Sequence, residues 1–142
     1  MKRTSQFLLV GLVAGGLLVA GCGQAPSAPK EEAVHVEKLD NGLSKLTLSQ
    51  HAALRLGVQT VEVREDGSRT IIPYAAVIYD AQGATWAYAA SESLIFQRAP
   101  IAVEDITGDE AILSDGPPAG TQVVTVGAAE LYGAEIGVGG GH

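Results

Sequence analysis

Apolar and polar residues alternate in short runs through residues 71–131, and Gly, Pro, Asp and Ser separate the runs. Alternation of this kind places every second side chain on one face and predicts half-buried β-strands joined by turns. The centre of the stretch, Tyr74-Ala75-Ala76-Val77-Ile78-Tyr79-Asp80-Ala81-Gln82-Gly83-Ala84-Thr85-Trp86-Ala87-Tyr88, reads as strand, turn, strand. Residues 77–79 and 84–89 flank Asp80-Ala81-Gln82-Gly83, a hairpin with a four-residue loop. Trp86 and Tyr88 have the same parity and therefore share a face. Residues 94–103 predict the next strand, with Phe96 against that aromatic pair. Pro100 inside the run marks an edge or a bulge, because proline cannot donate to a central ladder. Residues 104–110 read as an acidic solvated turn, and 110–113 as a short strand. Pro117-Pro118 stiffens the following turn, and Gly120 releases it into a strand over 121–126.

The pattern before residue 71 adds a smaller unit. Leu46 and Leu48 alternate with Thr47, which predicts a strand. Ser49 is a favourable N-cap, residues 50–56 predict a two-turn helix with Ala53 and Leu56 on one face, and Gly57 stands where a helix stop favours positive φ. Alternation resumes over 58–65, with Val61 and Val63 expected inward, and Glu65-Asp66-Gly67-Ser68 reads as a turn. Near the end, residues 128–132 predict one or two helical turns stopping at Gly133. The expected fold is mainly β: a compact antiparallel sheet or barrel-like module over residues 45–135, with one short helix and a C-terminal helical turn. The glycine-rich residues 136–142 are expected to be a disordered tail.

The first residues follow another grammar. Lys2 and Arg3 precede an uncharged apolar run over 7–20, the three-part pattern of a secretory leader, and the run is short for a membrane span. Its end, Leu18-Val19-Ala20-Gly21-Cys22, looks like a bacterial lipobox. The expectation is a leader over 1–21, cleavage between Gly21 and Cys22, and a lipidated thiol at Cys22. Two acyl chains, at about 0.8 kcal/mol per buried CH₂, hold a protein on a bilayer far better than one. Residues 22–44, rich in Gly, Pro, Ala and charge, read as a flexible linker. The expected location is the extracytoplasmic face of a membrane, attached by lipid.

Charge and composition narrow the function. The formal charge is −7, and becomes −9 when Lys2 and Arg3 leave with the leader. That argues against nucleic acid as a partner, since phosphate contacts need clustered Lys and Arg. The chain lacks G-x-S-x-G, H-E-x-x-H, a P-loop and paired cysteines, and its only Cys is in the lipobox. His35 falls in the linker, His51 on the short helix and His142 at the terminus, which predicts no triad and no metal site. No catalytic residue and no cofactor are expected. Trp86 and Tyr88 read first as core or rim packing; as the alternative, Trp86, Tyr88 and Phe96 form the candidate interaction surface.

These residues also carry a family likeness. Ile72-Pro73-Tyr74-Ala75-Ala76-Val77 resembles the Pro-x-x-Ala-Val strand start of periplasmic adaptor subunits (membrane fusion proteins) of resistance-nodulation-division efflux pumps, the heavy-metal efflux branch in particular. Asp80 through Tyr88 resembles the family's next turn and strand, and residues 96–103 its Phe-x-x-x-x-Val segment. Residues 116–127 are similar to its Gly-Leu-x-x-Gly-x-x-Val-Val-x-x-Gly block, with Pro117 in place of Leu. Leu46-Thr47-Leu48-Ser49 through Leu56-Gly57-Val58-Gln59-Thr60 resembles the segment that opens the folded region. The likeness spans residues 46–132. It implies a membrane-proximal β domain. A full adaptor carries a barrel, a lipoyl-like domain and a helical hairpin between the two segments; here only residues 66–69 separate them, and no heptads occur. The expectation is an adaptor-like accessory module of a transmembrane transporter that docks and makes no bonds. The alternative is a small extracytoplasmic lipoprotein that binds a cation or ligand on its acidic turns, and a domain without a transport role is the third reading.

Overall fold

A computed structural model describes residues 32–138. The leader of residues 1–21, Cys22, the spacer 23–30 and the last four glycine-rich residues, 139–142 with His142, lie outside the described residues.

The first element corrects the linker. Val34–Lys38 is a strand, β1, paired antiparallel with β2 (Ser44–Leu48). The charges on residues 31–38 suggested a solvated chain. Val34 and Val36, two apart, instead pack one face of β1 against the core while His35 and Glu37 stay exposed. Ser44, Leu46 and Leu48 of β2 are all buried, as their alternation predicts. Ser49 then caps α1 (Gln50–Leu56) through the Ala52 amide, and Gly57 closes it.

β3 (Gln59–Glu62) and β4 (Arg64–Asp66) follow, separated at Val63. Val63 is fully buried as expected, but Val61 is 40% exposed, because β3 is an edge strand with its side chains in solvent. A two-residue turn, Gly67-Ser68, joins β4 to β5 (Arg69–Pro73), with Asp66 opposite Arg69. Gly67 has φ +64° at the first central position, which a type II′ hairpin turn reserves for glycine.

A 3-10 turn over Tyr74–Ala76 leads to β6 (Ile78–Tyr79), β7 (Thr85–Glu92) and β8 (Ile95–Pro100). The strand expected over 94–103 breaks at Ile101, and the chain continues as β9 (Ala102–Thr107) in a second sheet. Pro100 lies past the part of β8 that β2 covers, so its missing N–H breaks no bond there. The acidic residues 104–110 are likewise mostly strand: only Gly108 and Asp109 turn before β10 (Glu110–Asp115). β11 (Gln122–Val126) and α2 (Ala128–Glu135) complete the body. α2 runs through Gly133, and Gly137 at φ +81° ends it. The Val138 amide reaches the Gly133 carbonyl and the Gly137 amide that of Ala134, which satisfies the last carbonyls. Residues 136–138 are therefore a helix cap rather than disordered tail.

Every strand pair is antiparallel among the described residues. Sheet A has the order β1-β2-β8-β7-β11-β3 with β6 beside β7, and sheet B the order β4-β5-β10-β9. The described residues are thus mainly β, antiparallel, with two α-helices. Alternation on the central strands builds two cores. Ala87 and Val123 face sheet B and pack with Ile72, Ala111 and Leu113. Their neighbours Tyr88 and Val124 face the helices and pack with Leu46, Phe96 and Leu131. Two crossings stitch the sheets. The Ile101 amide donates to the Thr85 carbonyl (3.1 Å), and the Val63 amide donates to the Thr121 carbonyl (2.8 Å).

Candidate functional site

The one buried polar cluster among the described residues forms where α2 ends over sheet A. β7 and β8 place Tyr88 and Arg98 as direct cross-strand partners, so both project towards the helix. α2 brings Glu135 down between them. The Tyr88 hydroxyl donates to Glu135 Oε2 at 2.6 Å, and Arg98 Nε stands 2.8 Å from the same oxygen. Nε makes no hydrogen bond, so that approach is one of charge to charge. The side chains of Arg98 and Glu135 are 14% and 3% exposed. The guanidinium lies over the Trp86 ring at 4.6 Å and the Tyr132 ring at 5.5 Å. Arg98 is thereby held by aromatic faces as well as by a carboxylate, a placement that a planar cation favours.

The cluster is anchored at both ends. Trp86 Nε1 donates to Asp80 Oδ2 at 2.9 Å, and Asp80 Oδ1 accepts from the Gln82 and Ala84 amides. Asp80 therefore shapes the hairpin loop and orients Trp86. Lys38 Nζ donates to Ser44 Oγ at 2.9 Å and to the Glu135 carbonyl at 3.5 Å, which sets a cation at the C-terminal end of α2. The hydrogen bond from Trp86, those from the Ala84 and Gln82 amides, and the charge of Arg98 hold the Asp80 carboxyl below its ordinary range. Burial pushes the Tyr88 hydroxyl far above its ordinary range, and the bond to Glu135 and its charge add to this, so Tyr88 remains a neutral donor.

Glu135 is buried and matched by Arg98, and Tyr88, Arg98 and Glu135 line none of the depressions around Leu56, Leu94 and Ile106. The arrangement fastens α2 to the sheet. Among the described residues no group of three or more His, Cys, Asp and Glu side chains converges. His35 is exposed beside Glu32, and His51 is exposed on the first turn of α1.

The expected interaction surface is corrected by the same geometry. Trp86, Tyr88 and Phe96 do share a face, but α2 covers it. Tyr88 and Phe96 are 0% and 3% exposed, and Trp86 is half-covered beneath Arg98. Parity placed the three together; it could not tell which side of the sheet meets solvent. Apolar side chains are open elsewhere, Leu54 and Val138 most of all. Tyr74, Tyr79 and Ile106 are each two-fifths to one-half exposed. Tyr79 stands against Tyr74, whose hydrogen bond pushes the Tyr79 hydroxyl above its ordinary range. Tyr79 and Ile106 line one slot of about 510 Å³, with Glu104 and Asp105 at its rim.

Comparison with family models, with curated proteins and with solved structures found no match to the chain.

Proposed function

We propose that this chain is a lipid-anchored, extracytoplasmic docking module of a transmembrane transporter of the resistance-nodulation-division type, a binding unit and not an enzyme. The observation that carries the reading is the β4–β5 hairpin. The two segments that resemble the membrane-proximal part of the adaptors, residues 46–60 and 72–132, supply strands to one body. Where a full adaptor inserts further domains between them, this chain makes a two-residue turn at Gly67-Ser68. Closing so short a loop costs little entropy, so the two segments can join directly in one body. Cys22 carries the lipid, and the tether keeps an acidic body at a membrane whose anionic headgroups would otherwise repel it. The buried Tyr88–Glu135–Arg98 cluster serves rigidity, and docking falls to exposed strand edges and to the open apolar surface.

The test uses the native chain in its own membranes. Labelling with an alkyne-bearing fatty acid should mark the wild type and not Cys22→Ser. Crosslinking followed by affinity purification should recover the transporter with the wild type. Deletion of residues 45–135 should keep the lipid label and lose the transporter. Recovery that survives this deletion, or a transporter never recovered, overturns the docking role; an unlabelled wild type overturns the anchor.

A further inference from the structure

An apolar row crosses sheet B and runs off its end. Ile72 on β5, Ala111 on β10 and Ile106 on β9 are direct neighbours across the ladder. The first two are fully buried, whereas Ile106 is 44% exposed. β9 is the last strand of the sheet among the described residues, so the core row ends uncovered at an edge without a partner strand. There the Ile106 amide donates to the Asp105 carboxylate of its own strand at 2.9 Å, a bond an added strand would replace. Tyr79 shares the slot beside Ile106, and Tyr74 adjoins Tyr79. An open edge offers backbone donors and acceptors at strand spacing, and an apolar row reaching it offers seats for alternate side chains. The opposite edge, β4, is three residues of Arg, Glu and Asp and has no such row.

Charge selects the occupant. Residues 64–73 and 102–115, which hold sheet B, carry seven carboxylates against two guanidiniums, Arg64 and Arg69. Arg64 is tied to Glu110, and Arg69 reaches Asp66 and Glu104 only at 3.8 Å. Glu104 and Asp105 sit on β9 itself. A second copy pairing on this edge would set acid against acid, which destabilises a ladder, and anionic lipid would be repelled. A cationic strand would be attracted and steered.

We infer that the β9 edge is the docking site for an extended, basic segment of a partner protein, added as a fifth strand of sheet B. Its apolar side chains lie against Ile106 and Tyr79, and its Lys or Arg side chains face Glu104 and Asp105. This deepens the docking reading above and rests on it only in requiring a protein partner.

The probe is a fluorescent alternating Lys/Val peptide of about seven residues, a typical strand length, added to the full chain in detergent micelles. Comparison peptides replace Lys with Glu, or interrupt the Lys/Val peptide with proline at unchanged charge. The Lys/Val peptide should bind and slow amide exchange over residues 102–107. Ile106→Lys and Glu104→Lys should each weaken binding about tenfold or more, while Leu54→Lys, at an exposed leucine elsewhere, should not. The proposal is overturned if the peptide does not bind, if the proline-interrupted peptide binds equally well, or if Ile106→Lys leaves affinity unchanged. A transporter recovered equally with wild type and Ile106→Lys would keep the docking role and move it off this edge. Peptide binding without transporter recovery would keep this edge and remove that partner.

Discussion

Replacing Glu135 by Ala isolates the clamp that fastens α2. The substitution removes the acceptor of a fully buried tyrosine hydroxyl and the counter-charge of an arginine whose side chain is 14% exposed. Breaking a buried ion pair from one side costs about 3–5 kcal/mol, mostly because the other charge stays desolvated. Arg98 keeps both aromatic faces and some access to water, so the low end applies, about 3 kcal/mol. For a body of this size that corresponds to a fall in Tm of roughly 12–20 °C. Circular dichroism of the full chain in detergent during heating, with urea unfolding alongside, measures it. The reasoning has a second half. Glu135→Leu, Arg98→Met and Tyr88→Phe combined leave no unpaired polar group, and should come within about 1–2 kcal/mol of wild type. A loss under about 1 kcal/mol for Glu135→Ala would show that the cluster is solvated and not a clamp. A triple variant no better than the single would show that packing, and not charge, sets the cost.

Three further outcomes follow from the geometry. The Asp80 carboxyl is more acidic folded than unfolded, so it adds stability above its ordinary pKa near 3.8, and that stability is lost as pH falls through the lower folded value. The Tm gap between wild type and Asp80→Asn should therefore be present at neutral pH and close below about pH 4; a gap that widens in acid would contradict the assignment. Gly67→Ala forces a side chain into φ +64° and should cost about 1–2 kcal/mol in urea unfolding, whereas Ser68→Ala in the same turn should be nearly neutral. The alternate amides of β1 that face β2 should exchange slowly in hydrogen–deuterium measurements, in step with β2, and exchange at the free-chain rate throughout Val34–Lys38 would restore the linker reading.

Much of the local structure was legible because it depends on neighbours in the chain. Ser49 and Gly57 bound a helix through side-chain and backbone bonds made within a few residues. Asp80 closes its own hairpin, and Gly67 sets its own turn. The alternation of Leu46 and Leu48 with Thr47, and of Ala87 with Tyr88, already assigned opposite faces. Where several elements had to meet, the pattern was silent. β1 became a strand because β2 supplied its partner; Val34 and Val36 alternate with His35 as a strand requires, but the surrounding charges masked that signal. Tyr88 and Phe96 became core because α2, some forty residues later, folds back over them. Arg98 and Glu135 meet across a separation in sequence that leaves no spacing rule to read. The order of residues determines which side chains share a face and where the chain turns, since those are properties of a few consecutive dihedral angles. Which face is covered, which charge is matched and which edge stays open depend on contacts between distant segments, and those existed only once the two sheets and α2 had packed.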